Sequence, residues 1–114
     1  MASYAFIQPV KAGKTAAWKQ LIAEMQGPRK KEHKESRKKA GLKREQVWLQ
    51  STPMGDFAVV VFEASDAKKV FQHFMTSTNA YDKWFAENVL VGIHGMNPSA
   101  PPPPMNELIF DYKG

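Results

Sequence analysis

The sequence predicts an α+β fold, with one antiparallel sheet and helices against one of its faces. Three observations lead there. Apolar residues recur at helical spacing in 16–25, 65–77 and 79–91, and in strand-like runs at 3–10, 44–52, 57–64 and 106–112. The turn sequence PMGD (53–56) is all that separates the two central runs, so they form an antiparallel hairpin. The order is then strand, helix, strand, strand, helix in two pieces, strand.

Residues 3–10, SYAFIQPV, mix aromatic and β-branched side chains and read as a short strand that stops at Pro9. KAGK (11–14) is a turn, and Thr15 stands where a helix cap belongs. Trp18, Leu21, Ile22 and Met25 then form one helical stripe. Gly27-Pro28 breaks this helix, and a second piece runs over 29–40 to Gly41. In 44–52, Val47 and Leu49 share one side and Trp48 and Gln50 the other. Residues 57–64, FAVVVFEA, form the strongest strand, apolar on both faces.

Ser65 or Asp66 caps a helix carrying Val70, Phe71, Phe74 and Met75. Asn79, with Asp82 three residues on, starts another that carries Tyr81, Trp84, Phe85 and Val89 toward Gly92. Residues 92–104 are irregular, with Pro101–Pro104 suited to an extended polyproline run that serves as a stiff spacer. Residues 106–112, NELIFDY, read as the last strand.

This is the ferredoxin-like βαββαβ pattern, with a four-stranded antiparallel sheet and its helices on one face. The other face of the 57–64 strand then needs cover, and a second copy of the chain is the expected source. At 114 residues one domain, 1–114, is expected, and a chain so short gains from association.

Composition narrows the chemistry. There is no cysteine, which excludes disulfides, thiolate catalysis and cysteine-ligated metals. The start, MASYAFIQPV, lacks the basic region and long apolar run of a signal peptide, and no apolar run is long enough for a membrane span. A soluble cytoplasmic protein with no membrane partner is expected. The formal net charge is +5, and residues 27–41, GPRKKEHKESRKKAG, account for all of it with seven basic and two acidic residues. The rest of the chain is neutral. This stretch has no aromatic residue for base stacking and reads as a solvated helix face, so nucleic acid is not expected as a partner.

With these elements placed, the chain resembles the dimeric α/β barrel superfamily, whose sheets pair face to face. Within it, residues 32–66 and 81–89 resemble a small group of uncharacterised bacterial proteins. The superfamily includes cofactor-independent monooxygenases acting on quinol-like aromatics, lactone isomerases, haem enzymes and ligand-sensing modules. The resemblance implies a homodimer and a pocket between sheet and helices, and selects none of these activities.

Candidate site residues come from the helix stripe. Extended past Met25, it passes through Arg29, Glu32, His33, Ser36 and Ala40, so an apolar face turns polar toward the sheet. His33 and Glu32 are the candidates for acid–base chemistry, since imidazole titrates near neutral pH. His33 also reads as a histidine hydrogen-bonded at the helix–sheet boundary, or simply exposed. Arg29, Ser36, Trp48, Trp84, Asn88 and His94 are candidates for ligand contact. Trp48 and Trp84 read first as core, and Asn88 as a buried amide on the aromatic stripe that either ties down a backbone group or faces a cavity. His94 reads first as a loop histidine with no role, and otherwise as a turn residue that presents its ring at a pocket mouth, and His73 reads as exposed. The three histidines lack metal-ligand spacing, so neither metal nor another cofactor is expected. The expected function is binding, extended to cofactor-independent turnover, of a small, partly apolar or aromatic compound. The alternative is a non-catalytic interaction or regulatory module using helix 29–40 or the Pro101–Pro104 run.

Overall fold

The computed structural model describes residues 2–97, 99 and 106–114. The Pro101–Pro104 run lies outside the described residues. The elements are β1 (Ala2–Pro9), α1 (Thr15–Gln26), α2 (Lys30–Ala40), β2 (Leu42–Thr52), β3 (Gly55–Ala64), α3 (Ala67–Thr76) and α4 (Ala80–Phe85). Beyond α4 the chain continues as a π-helical turn over Ala86–Val91.

The sheet among the described residues has three strands, in the antiparallel order β1-β3-β2. This corrects the expectation of four. Residues 106–112 join no sheet, and Leu108, Ile109, Phe110 and Tyr112 are 74–87% exposed. Their composition favours extended backbone, but a strand exists only where a neighbour accepts its hydrogen bonds. The class is therefore α+β with a small sheet.

Register decides which side chains face the helices. Tyr4, Phe6 and Gln8 stand opposite Phe62, Val60 and Ala58, and from the other side so do Glu45, Val47 and Leu49. These residues form the inner face. One irregularity matters: Leu42 pairs with Ala64, but Arg44 pairs with Glu63, so Lys43 is an extra residue in β2. Strand side chains alternate, and one inserted residue inverts every position after it. The bulge is what turns Glu45, Val47 and Leu49 inward.

The core lies between the inner face and the helices. Phe62, Ala64, Ala67 and Val70 pack at one end, and Val10, Trp18, Ala58 and Ile93 at the other. Met25, Phe85 and Val89 join α1 to α4 and to the turn that follows it. The predicted break at Gly27-Pro28 separates α1 from α2, and Gly41 closes α2 at φ 81°. Asp66 caps α3 through the backbone N–H of Lys68 and Lys69, and Asn79 caps α4 through that of Tyr81.

The outer face carries Ala5, Ile7, Trp48, Phe57, Val59 and Val61, and nothing described covers it. Trp48, read from sequence as core or ligand contact, stands here 58% exposed beside Ile7 at 67%. It stands on the opposite side of the sheet from the helices.

Candidate functional site

A cavity of about 130 Å³ lies between the inner face and the helices. Its walls are mainly apolar and aromatic, with Trp18, Val60, Phe62, Phe71 and Phe85 among them. Val47 and Met75, 41% and 40% exposed, stand at its rim. The polar lining comes from Gln8, Glu45, His94 and Asn97.

Glu45 is the charged group of this wall. Burial alone would raise its pKa. The hydrogen bond from His33 and the Arg37 guanidinium outweigh burial and hold the carboxyl down at about 2. Arg37 donates from Nε to Oε1 at 3.1 Å and from Nη2 to Oε2 at 3.3 Å. Its guanidinium also lies over the rings of Phe74 and Phe85, at 4.7 and 4.4 Å. Sequence reasoning missed both residues. Arg37 sat within a basic run read as solvated, and Glu45 faces inward only because of the bulge.

His33 stands across Glu45 from the cavity. Its Nε2 is 2.9 Å from Glu45 Oε1 and its Nδ1 is 2.6 Å from the Tyr81 hydroxyl. A carboxylate only accepts, so Nε2 carries the proton. In the neutral ring Nδ1 then accepts from Tyr81 O–H. Burial pushes the Tyr81 phenol up to about 12, so it stays a donor at neutral pH.

A second set of hydrogen bonds continues from Arg37. Its Nη1 donates to Ser36 Oγ at 3.0 Å, and Ser36 Oγ donates to Asp82. Asp82 also accepts from Ser77 Oγ at 2.5 Å and from His73 Nε2 at 3.0 Å. Burial raises the Asp82 pKa, but the bonds from Ser36 and Ser77 and the adjacent His73 bring it below the usual carboxylate value. The network ties α2, α3, α4 and β2 together. His73, read as exposed, is a half-buried member of it.

The remaining candidates scatter. Glu32 is exposed and accepts from Arg29 Nη1 at 3.4 Å, rather than sharing the space of His33. Arg29 lies 4.2 Å over the Trp84 ring, and Trp84 packs against Tyr81 outside the cavity. Ser36 is buried in the network. Asn88, read as a buried amide, is exposed and donates to the Trp84 carbonyl at 2.9 Å.

His94 does line the cavity. It follows the π-helical turn, whose wider hydrogen bonds include Gly92 N–H to the Glu87 carbonyl at 3.0 Å and His94 N–H to the Val89 carbonyl at 3.1 Å. Its Nδ1–H donates to the Pro9 carbonyl at 2.9 Å, and its ring meets Trp18 edge-on. Burial lowers its pKa, so the ring is neutral and Nε2 is an acceptor.

Among the described residues no three His, Asp or Glu side chains converge into a metal-holding group, and no helix is long and apolar enough to cross a membrane. No protein-family model matches the chain, and no curated protein or solved structure matches it.

Proposed function

We propose that this protein binds a small, largely apolar molecule, about the size of one six-membered ring, in the cavity between sheet and helices. The observation that carries the reading is an aromatic-lined cavity of about 130 Å³ with an ionised carboxylate, Glu45, in its wall. An apolar cavity of about 150 Å³ takes up benzene, so the size suits one ring. Gln8, Glu45, His94 and Asn97 supply the few polar contacts that orient such a ligand. Cofactor-independent turnover at this site is the enzymatic form of the same proposal, with Glu45 and His33 as its acid–base pair.

The test is a titration with benzene and phenol followed by NMR. The methyl and ring signals of Val60, Phe62 and Phe71 shift if the cavity takes them up. Val60→Phe fills the cavity and abolishes the shifts. Unchanged signals in the wild-type protein overturn the reading.

The partner we propose is a second copy, seated on the outer face of the sheet. Ile7, Trp48, Val59 and Val61 form an apolar centre there, and the charged pair of positions at its end, Glu63 and Arg44, cancels. A two-fold pairing buries this surface against itself without bringing together net charge.

A further inference from the structure

We infer that His94 is the specificity-determining residue of the cavity, its Nε2 accepting a hydrogen bond from the ligand, and that the ligand is a neutral one-ring compound with an O–H or N–H donor, such as a phenol. The inference rests on the proposed cavity site and deepens it. His94 is 8% exposed and lines the cavity. Its Nδ1 is 2.9 Å from the Pro9 carbonyl oxygen. A carbonyl only accepts, so Nδ1 carries the ring proton. The two ring nitrogens point to opposite sides of an imidazole, so Nε2 is turned away from Pro9. Among the described residues it has no hydrogen-bond partner, and no side-chain nitrogen or oxygen closed off from solvent is left unpaired. Nε2 therefore faces open space, and the cavity is the space its ring lines. Burial pulls the imidazole pKa down, which keeps Nε2 unprotonated at neutral pH.

The backbone around this ring is tied down. Lys11 N–H donates to the Ile93 carbonyl at 2.8 Å, and His94 N–H to the Val89 carbonyl at 3.1 Å. The Trp18 ring stands edge-on to the imidazole, 5.7 Å between centroids. An acceptor held in this way loses little freedom when a ligand arrives.

The other polar groups of the wall select less. Gln8 and Asn97 carry amides, which donate as readily as they accept. The Glu45 carboxylate already accepts one hydrogen bond from His33 and two from Arg37. Glu45 also marks the other end of the cavity: it pairs with Phe62 on β3, whereas Pro9, which holds His94, pairs with Phe57. Arg37 neutralises Glu45, so the wall has no net charge to offer an ionic ligand, and burying an unpaired ion among apolar side chains is costly. A neutral imidazole Nε2 only accepts. A ligand without a donor leaves it unpaired in a buried wall, which costs more than a hydrogen bond gains.

The experiment compares phenol with toluene, which has the same size and shape and no donor. Each is titrated into the full-length protein, with the ring signals of Phe62 and Phe71 reporting binding and nitrogen NMR reporting the imidazoles. Phenol is expected to move the His94 Nε2 signal toward that of a hydrogen-bonded acceptor, with Nδ1 still protonated, and toluene to leave it in place. His94→Asn keeps an N–H donor for the Pro9 carbonyl and removes Nε2. In it the ratio of phenol affinity to toluene affinity is expected to fall at least threefold, the order of one hydrogen bond. The ratio cancels a change in cavity volume, because the two ligands fill the same space. Phenol binding that leaves the His94 Nε2 signal unmoved overturns the role of His94, as does a smaller fall in the ratio, and the cavity reading then stands. The nitrogen signal needs no variant, so it decides alone if His94→Asn does not fold. If neither compound moves the ring signals of Phe62 and Phe71, the cavity reading and the role of His94 fall together.

Discussion

Arg37 reaches Glu45 with two nitrogens, at 3.1 and 3.3 Å, so helix α2 is held to strand β2 by a planar fork. The arginine is 7% exposed and the carboxylate 21%, so water does little to screen either charge. Removing one partner of such a pair leaves the other uncompensated and costs roughly 3–5 kcal/mol. Arg37→Ala is expected to lose that much in chemical denaturation. Arg37→Lys keeps the charge but loses the fork and the ring stacking, and falls between Arg37→Ala and wild type. A loss under about 1 kcal/mol in Arg37→Ala, below what one charged hydrogen bond contributes, contradicts the clamp.

The same pair sets an acid limit. Glu45 titrates in the folded protein at about 2, well below an ordinary glutamate. A depressed folded pKa gives stability that is present above the unfolded value, and is lost as pH falls through the folded one. Thermal melts are therefore expected to hold near neutral pH and to fall between about pH 4.5 and 2. Asp82 adds in the same direction. In Glu45→Gln the melting point starts lower and depends less on pH across this window. An equal slope in both proteins assigns the acid transition to other carboxylates.

Gly92 has no room for a side chain. A Cβ there meets the Asn88 carbonyl oxygen at 2.6 Å, inside the π-helical turn. Gly92→Ala is expected to cost roughly 1–3 kcal/mol, the usual range for overpacking. It should also shift the ring signals of His94, two residues on. Melting together with the imidazole spectrum checks this, and an unchanged His94 spectrum separates the turn from the cavity wall.

The outer face is tested by charge. Light scattering after size-exclusion chromatography is expected to give a dimer for the wild type. Trp48→Lys and Ile7→Lys place an ammonium in the apolar centre and give monomers that melt close to one another. A monomeric wild type at micromolar concentration removes the second copy from the proposal.

The basic stretch is expected to bind DNA or RNA weakly and to lose it by about 150 mM salt, where the Debye length is ~8 Å. Two of its seven cations are engaged within the fold: Arg37 with Glu45, and Arg29 with Glu24, Glu32 and the Trp84 ring. Filter binding at that salt decides it, and sub-micromolar affinity overturns the expectation.

Much of the local structure was legible in residue order. Periodicity places α1, α3 and the hairpin, Gly27-Pro28 marks the break, and Gly41, Asp66 and Asn79 act where such residues end or start helices. These are short-range effects, set by neighbours within a turn or two. The place of His33 on the stripe begun at Trp18 was also readable. Its partners were not, because Tyr81 lies 48 residues away and Glu45 turns inward only through the bulge at Lys43. Strand pairing is non-local in the same way. NELIFDY has the composition of a strand, and in the fold it pairs with neither edge strand of the sheet, β1 or β2. Trp48 has the composition of a core residue, and the parity of β2 sends it to the outer face. Composition and period decide which backbone a segment favours. Which face it shows, and to what, is decided by register and packing, since one residue of slip inverts a strand and no local signal reports it.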